Sequence, residues 1–259
     1  MSRNRLIRLL PATFASLALC AALTVEAATP NTVSGRVLDE RGKPVVGAQI
    51  IVEPAMFRGT LFTKTDAQGR YQSIELNPTT NPYYVYAYKE INYHGRHYCV
   101  RMAGDPGEYQ EAFNAKQGVV RNWRFKISGE SDMASSSNGG QWWGGSLAFE
   151  NVSTEDGKFI PFDSIVELRL TPDGPLIDGS VGKPIVKTVR LSAGIADIPV
   201  GYYQLSAFLV QGGAKTKLRV GTTNRDEKLG DTTMILFDGF DTCGHSGTFS
   251  TTHVWLGRP

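Results

Sequence analysis

Val33-Ser-Gly-Arg-Val-Leu-Asp-Glu-Arg-Gly-Lys-Pro-Val-Val-Gly-Ala-Gln-Ile-Ile-Val52, followed by Thr65-Asp-Ala-Gln-Gly-Arg-Tyr71, carries the strongest structural signal in this chain. Val33, Gly35 and Val37 alternate with polar neighbours, the pattern of a half-buried strand. The run Glu40-Arg41-Gly42-Lys43-Pro44 then supplies the Gly and Pro that turn the chain. A second strand follows, with Ala48, Ile50 and Val52 on one face. Gly69, ahead of Arg70 and Tyr71, is expected to take a positive φ that a residue with a Cβ resists.

Farther along, Val120 to Ile127 alternates cleanly and reads as the last strand of a first domain. Ser146 to Phe149, Ile165 to Leu170, Ile185 to Leu191 and Tyr202 to Val210 read as later strands, and no segment sustains a helical period. Between the two sets lies Gly129-Glu-Ser-Asp-Met-Ala-Ser-Ser-Ser-Asn-Gly-Gly140, too poor in apolar side chains to fold alone. The 259 residues, with 28 glycines and 13 prolines, suit two all-β domains. The expected division is residues 1–27 as a signal peptide, 28–128 as one β-sandwich, 129–141 as a linker and 142–259 as a second sandwich.

The succession Gly42, Pro44, Gly47, Ala48, Ile50, with the Thr65-Asp66…Gly69-Arg70-Tyr71 turn, resembles the carboxypeptidase regulatory-like domain, a small transthyretin-type (prealbumin-like) sandwich. The resemblance covers about the first hundred residues after the leader and implies an immunoglobulin/prealbumin-like fold without catalytic residues of its own. In the second half, Gly182-Lys183-Pro184 echoes Gly42-Lys43-Pro44, and Gly201-Tyr202-Tyr203-Gln204 echoes Gly69-Arg70-Tyr71-Gln72. Either the second domain is a diverged copy of the first, or turn chemistry has made unrelated loops look alike.

Arg3, Arg5 and Arg8 precede an apolar run from Ala15 to Val25, and Val25-Glu26-Ala27 ends it as a signal peptidase site does. Cleavage is expected before Ala28, giving a secreted or periplasmic protein. Lipid attachment at Cys20 is disfavoured because Leu19 stands where a small residue is needed. The full chain carries a formal charge of +2, and losing three arginines and one glutamate with the leader brings it to zero. A neutral chain offers no footprint for nucleic acid or for an anionic membrane, and no other run could span a bilayer.

The sequence contains no H-E-x-x-H, no G-x-S-x-G, no P-loop and no dinucleotide fingerprint, so no catalytic residue and no cofactor is assigned. Asp241, His245, Ser246 and His253 lie close in sequence, but a triad requires geometry that sequence proximity does not supply. Cys99 and Cys243 are the two cysteines beyond the leader. In an exported chain they form a disulfide or remain free thiols, or else His97, Cys99, Cys243 and His245 together form a strand-borne zinc or copper site. Aromatic residues crowd at Tyr83-Tyr84-Val85-Tyr86-Ala87-Tyr88, where Tyr84, Tyr86 and Tyr88 share one face. They are either an outward ladder for a sugar ring or protein partner, or core. Trp142 and Trp143, beside the Gly-rich stretch, carry the same choice. The partner classes considered are therefore a glycan and an envelope protein.

Overall fold

In the computed structural model, residues 28–105, 111–131, 142–152, 159–222, 229–244 and 249–259 are described. The leader and nearly all of the Ser/Gly-rich stretch, with their cleavage-site and linker readings, lie outside them, as do His245 and Ser246. Among the described residues no helix is long and apolar enough to cross a membrane.

Among the described residues nine strands come from the first half: β1 (Val33–Asp39), β2 (Gln49–Pro54), β3 (Leu61–Lys64), β4 (Arg70–Gln72), β5 (Tyr83–Tyr93), β6 (Arg96–Arg101), β7 (Ala103–Asp105), β8 (Val119–Val120) and β9 (Asn122–Phe125). Nine more follow: β10 (Gly145–Asn151), β11 (Ile165–Pro172), β12 (Ile185–Arg190), β13 (Ile195–Ile198), β14 (Tyr202–Gln211), β15 (Ala214–Lys217), β16 (Arg219–Gly221), β17 (Thr233–Leu236) and β18 (Thr251–Gly257). The strand expected over Val120 to Ile127 is split at Arg121, whose carbonyl accepts from the Tyr71 hydroxyl at 2.6 Å.

Each half is a sandwich of two sheets. The first stacks β4-β1-β9-β7 on β3-β2-β5-β6, and the second stacks β13-β10-β18-β16 on β12-β11-β14-β15. The two orders are the same path traced twice, strand for strand. Pairing sense agrees as well: β1 runs parallel to β9 and β10 parallel to β18, while the other pairs along these paths are antiparallel. Even the extra partner of the long central strand recurs, with Tyr83 of β5 bridging Phe113 and the start of β14 pairing with β17.

The inward faces are those the alternation predicts. Ala48, Ile50 and Val52 are buried beside Tyr83, Val85 and Ala87 of the neighbouring β5, as are Val33 and Val37 of β1 across the sandwich. In the second half Val166, Leu168 and Leu170 face Leu205, Ala207 and Leu209 from the neighbouring strand, with Val254 and Leu256 of β18 in the same core. Burying such side chains contributes about 1.5–3 kcal/mol each, the main favourable term here.

By position in the fold the counterpart of Gly69 is Gly194, not the Gly201 of the sequence echo. Gly69 has φ 72° just before β4, and a Cβ there would stand 2.5 Å from the Val37 carbonyl oxygen of β1. Gly194 has φ 63° just before β13, the counterpart of β4, and its Cβ would stand 2.7 Å from the Leu147 carbonyl oxygen of β10. The sequence echoes fall at unmatched places. Gly42-Lys43-Pro44 joins β1 to β2, whereas Gly182-Lys183-Pro184 joins β11 to β12, and Gly201 opens β14 rather than β13. They correspond in turn chemistry and not in topology.

The halves are locked together by the β5–β6 hairpin. His94 (φ 45°) and Gly95 (φ 77°) form its two-residue turn, the left-handed pair that matches strand twist. Tyr93 at the hairpin end accepts from the Tyr202 amide at 2.9 Å and donates to the Pro175 carbonyl at 2.8 Å. Arg41 at the β1–β2 turn binds Asp39 and also reaches the Asp178 carbonyl at 3.1 Å. One continuous buried cluster runs through both sandwiches.

Candidate functional site

The outer face of the β3-β2-β5-β6 sheet is the candidate site, and strand register builds it. Because Ile50, Val52, Val85 and Ala87 point inward, Ile51, Glu53, Tyr84, Tyr86 and Tyr88 point outward. Phe62 stands opposite Ile51, and Ile51 stands opposite Tyr86, so Phe62, Ile51 and Tyr86 form a row across three strands. Tyr84 and Tyr86 are half-buried and lie nearly parallel, with ring centroids 6.2 Å apart and an interplanar angle of 17°. Phe62 is 58% exposed, and Met56 and Phe57 extend the apolar surface into the β2–β3 turn.

The outward tyrosines part company at Tyr88, which is 3% exposed. It packs with Ile51 and Cys99 in a small apolar cluster outside the main core, with Tyr86 and Cys243 against it. The cover is the segment 238–244 from the second half. Cys99 and Cys243 are disulfide-bonded, with Cα atoms 5.1 Å apart. The Cys99 amide donates to the Phe240 carbonyl at 2.7 Å and the Tyr98 hydroxyl to the Phe237 carbonyl at 2.9 Å, while Arg96 pairs with Asp238. Burial pushes the Tyr88 hydroxyl up to about 12, with the nearby Arg101 guanidinium pulling the other way. Tyr86 is raised too, by burial first and by the Glu53 carboxylate second.

Arg101 lies across from Tyr88 on β6, and its guanidinium sits 5.4 Å from the centroid of the Trp143 ring. Trp143 is 1% exposed, and its amide donates to the Gly129 carbonyl at 2.8 Å. Trp142 is half-buried and bridges to Glu130. Of the five aromatic candidates, then, Tyr84 and Tyr86 reach solvent on the sheet face. Tyr88 and Trp143 are buried instead, the first under the strapped segment and the second with the Arg101 guanidinium over its ring. Phe62 belongs to the face and was missed in the sequence, where only its register against Ile51 could have exposed it.

The bond between Cys99 and Cys243 removes both thiolates from the alternative metal set. His97 instead lies 2.9 Å from the Asn92 side-chain oxygen and 4.0 Å from Glu90. Among the described residues no group of three or more His, Cys, Asp or Glu side chains could hold a metal ion. His253 pairs with Glu150 at 2.9 Å across β10 and β18.

No family model matches this chain, and no curated protein matches it. Among solved structures it is similar to the Bacillus anthracis TIE protein, at 11% identity and a TM-score of 0.35 over 90% of this chain and 34% of that one. It is also similar to a streptococcal ancillary pilin, at 12% identity and a TM-score of 0.26 over 88% of this chain and 62% of that one. A third similarity is to a C-terminal fragment of the pilus adhesin SpaC from Lactobacillus rhamnosus GG, at 8% identity and a TM-score of 0.24 over 88% of this chain and 98% of that one. The chain spans about a third of the first structure's length and less than two thirds of the second's.

Proposed function

We propose that this is an exported β-sandwich protein, secreted or periplasmic, that performs no catalysis and serves as a structural or adhesive module at the cell envelope. Its docking surface is the outer face of the β3-β2-β5-β6 sheet. The observation that carries this reading is the set Phe62, Tyr84 and Tyr86, apolar and outward around the buried Ile51 on a sheet pinned by a disulfide. Exposed aromatics on a stiff support gain contact area with a partner at little entropic cost. The basic leader and the disulfide support export. The first sandwich is read as a carboxypeptidase regulatory-like domain on its Gly42–Ile50 pattern.

The near-parallel Tyr84 and Tyr86 rings favour a second reading, in which the partner on this face is a glycan stacked on them. One set of variants tests both readings. Phe62→Ala and Tyr84→Ala should melt near wild type yet lose retention on envelope fractions, and on immobilised polysaccharide if the glycan reading holds. Retention unchanged in both variants would remove this face from the function. The export half is checked by N-terminal sequencing of fractionated cells, which should find Ala28 first.

A further inference from the structure

Between the β5–β6 hairpin and the second sandwich lies a cleft of about 460 Å³, within the size range of small-molecule sites. His94 and Arg96 come to it from the first half, and Tyr202, Thr222, Met234, Leu236, Asp238 and Thr252 from the second. The site therefore exists only because the two sandwiches are locked together. It lies apart from the outward tyrosines of β5, and nothing in its argument uses them.

We infer that this cleft binds a single neutral, polyhydroxylated ring, a sugar unit of hexose size. Four features select that chemistry. Thr252 is 8% exposed, and its hydroxyl is buried with no hydrogen-bond partner, an arrangement that costs free energy until a ligand or water satisfies it. Arg96 and Asp238 pair with each other at the rim, offering donors and acceptors side by side with no net charge. A charged ligand would have to break that pair, whereas vicinal hydroxyls can bridge it. Tyr202 supplies a ring face, held by the His94 imidazole 4.2 Å away at 34°, and Met234 and Leu236 supply apolar contact for C–H groups. The hairpin turn fixes the His94 backbone at φ 45°, a left-handed conformation that His adopts more readily than most side chains, and so holds its ring at the cleft.

Saturation-transfer NMR and calorimetry on the full exported chain, with glucose, galactose, mannose and N-acetylglucosamine, test the inference, with benzoate as a planar anionic control. Transfer to ring protons of at least one sugar is expected. Thr252→Val keeps the shape and removes the orphan hydroxyl, so it should melt at or above wild type while weakening that sugar about tenfold or more. Asp238→Asn, at an exposed position, should weaken it comparably and provides the readout if Thr252→Val fails to fold. Binding of no sugar in the panel, or of benzoate alone, would overturn the inference. So would sugar binding that both variants leave intact, and a loss on Tyr84→Ala instead would assign that binding to the aromatic face.

Discussion

The two sandwiches follow one path and present opposite outer faces. On β3-β2-β5-β6 the outward side is apolar and aromatic, with Phe62, Ile51, Tyr84 and Tyr86. On the matching β12-β11-β14-β15 sheet it carries an ion-pair cluster, with Ile165, Val186 and Phe208 on the same face. Glu167 of β11 accepts from Arg169 at 2.8 Å and from Lys215 of β15 at 2.5 Å, and Arg169 lies 4.7 Å over the Phe208 ring. Inward positions do not differ in kind, since both are runs of Val, Ile, Leu and Tyr. Topology dictates which residues must be apolar to close a core, and leaves the outer face free to specialise. The hairpins diverge as well: β6 is largely buried against the second half, whereas every residue of its counterpart β15 is exposed.

The sharpest way to break the comparison is to separate the halves. Opening the bond between Cys99 and Cys243, 144 residues apart, should lower stability by roughly 5 kcal/mol in the chain-entropy picture. Urea unfolding of Cys99→Ser is expected to show a lower midpoint and to resolve into two transitions. A single transition at the wild-type midpoint would mean that the strap does not couple the sandwiches.

Next in size is the contrast within the aromatic face. Tyr88→Ala truncates a buried ring and should cost about 3–5 kcal/mol, while Tyr84→Ala should cost less than about 1 kcal/mol. Thermal melts of the two variants compare them directly, and equal losses would contradict the division at Tyr88.

The topological match is tested by its glycines. Gly69→Val and Gly194→Val each force a Cβ against a first-strand carbonyl at positive φ, and each should cost on the order of 1–3 kcal/mol. If denaturant curves show only one of them to matter, the two turns are not counterparts.

The smallest effect is in acid. Lys215 first, and then Arg169, hold the Glu167 carboxyl below its usual 4.5. In the first half, burial works to raise Asp39, but donation from the Lys43 amide and from Arg41 outweighs it and leaves Asp39 below its usual 3.8. Each is a depressed carboxyl. Its contribution is fully present above the unfolded value and fades as pH falls through the folded one, so the loss belongs below about pH 4.5 for Glu167 and lower for Asp39. Melting temperatures of Glu167→Gln and wild type should converge through that window. A gap that stays constant down to acid unfolding would show that the ion pairs contribute no pH-dependent stability.

The core was legible because period-two alternation is a local property. Val33, Val37, Ile50, Val52 and Val85 can be sorted into inward and outward sets without any tertiary knowledge. So could the strained turn at Gly69. Tyr88 could not be assigned, because its burial depends on a segment about 150 residues downstream that the alternation of β5 does not register. Trp143 depended in the same way on Arg101. The shared strand path was not legible in the echoes: Gly-Lys-Pro recurs wherever a turn needs it, whereas Gly69 and Gly194, which precede matching strands, share no flanking motif.

The bond between Cys99 and Cys243 also sets how the molecule answers force. Tension applied on either side of that pair runs from β1 through β5 and the start of β6, crosses the sulfurs and leaves along β18, bypassing β7 to β17. The enclosed chain, on the order of 500 Å if drawn out, is withheld from extension until a covalent bond breaks. A chain wired in this way shields β7 to β17 from the pull while β18 carries load, and releases that length only where the local chemistry is reducing.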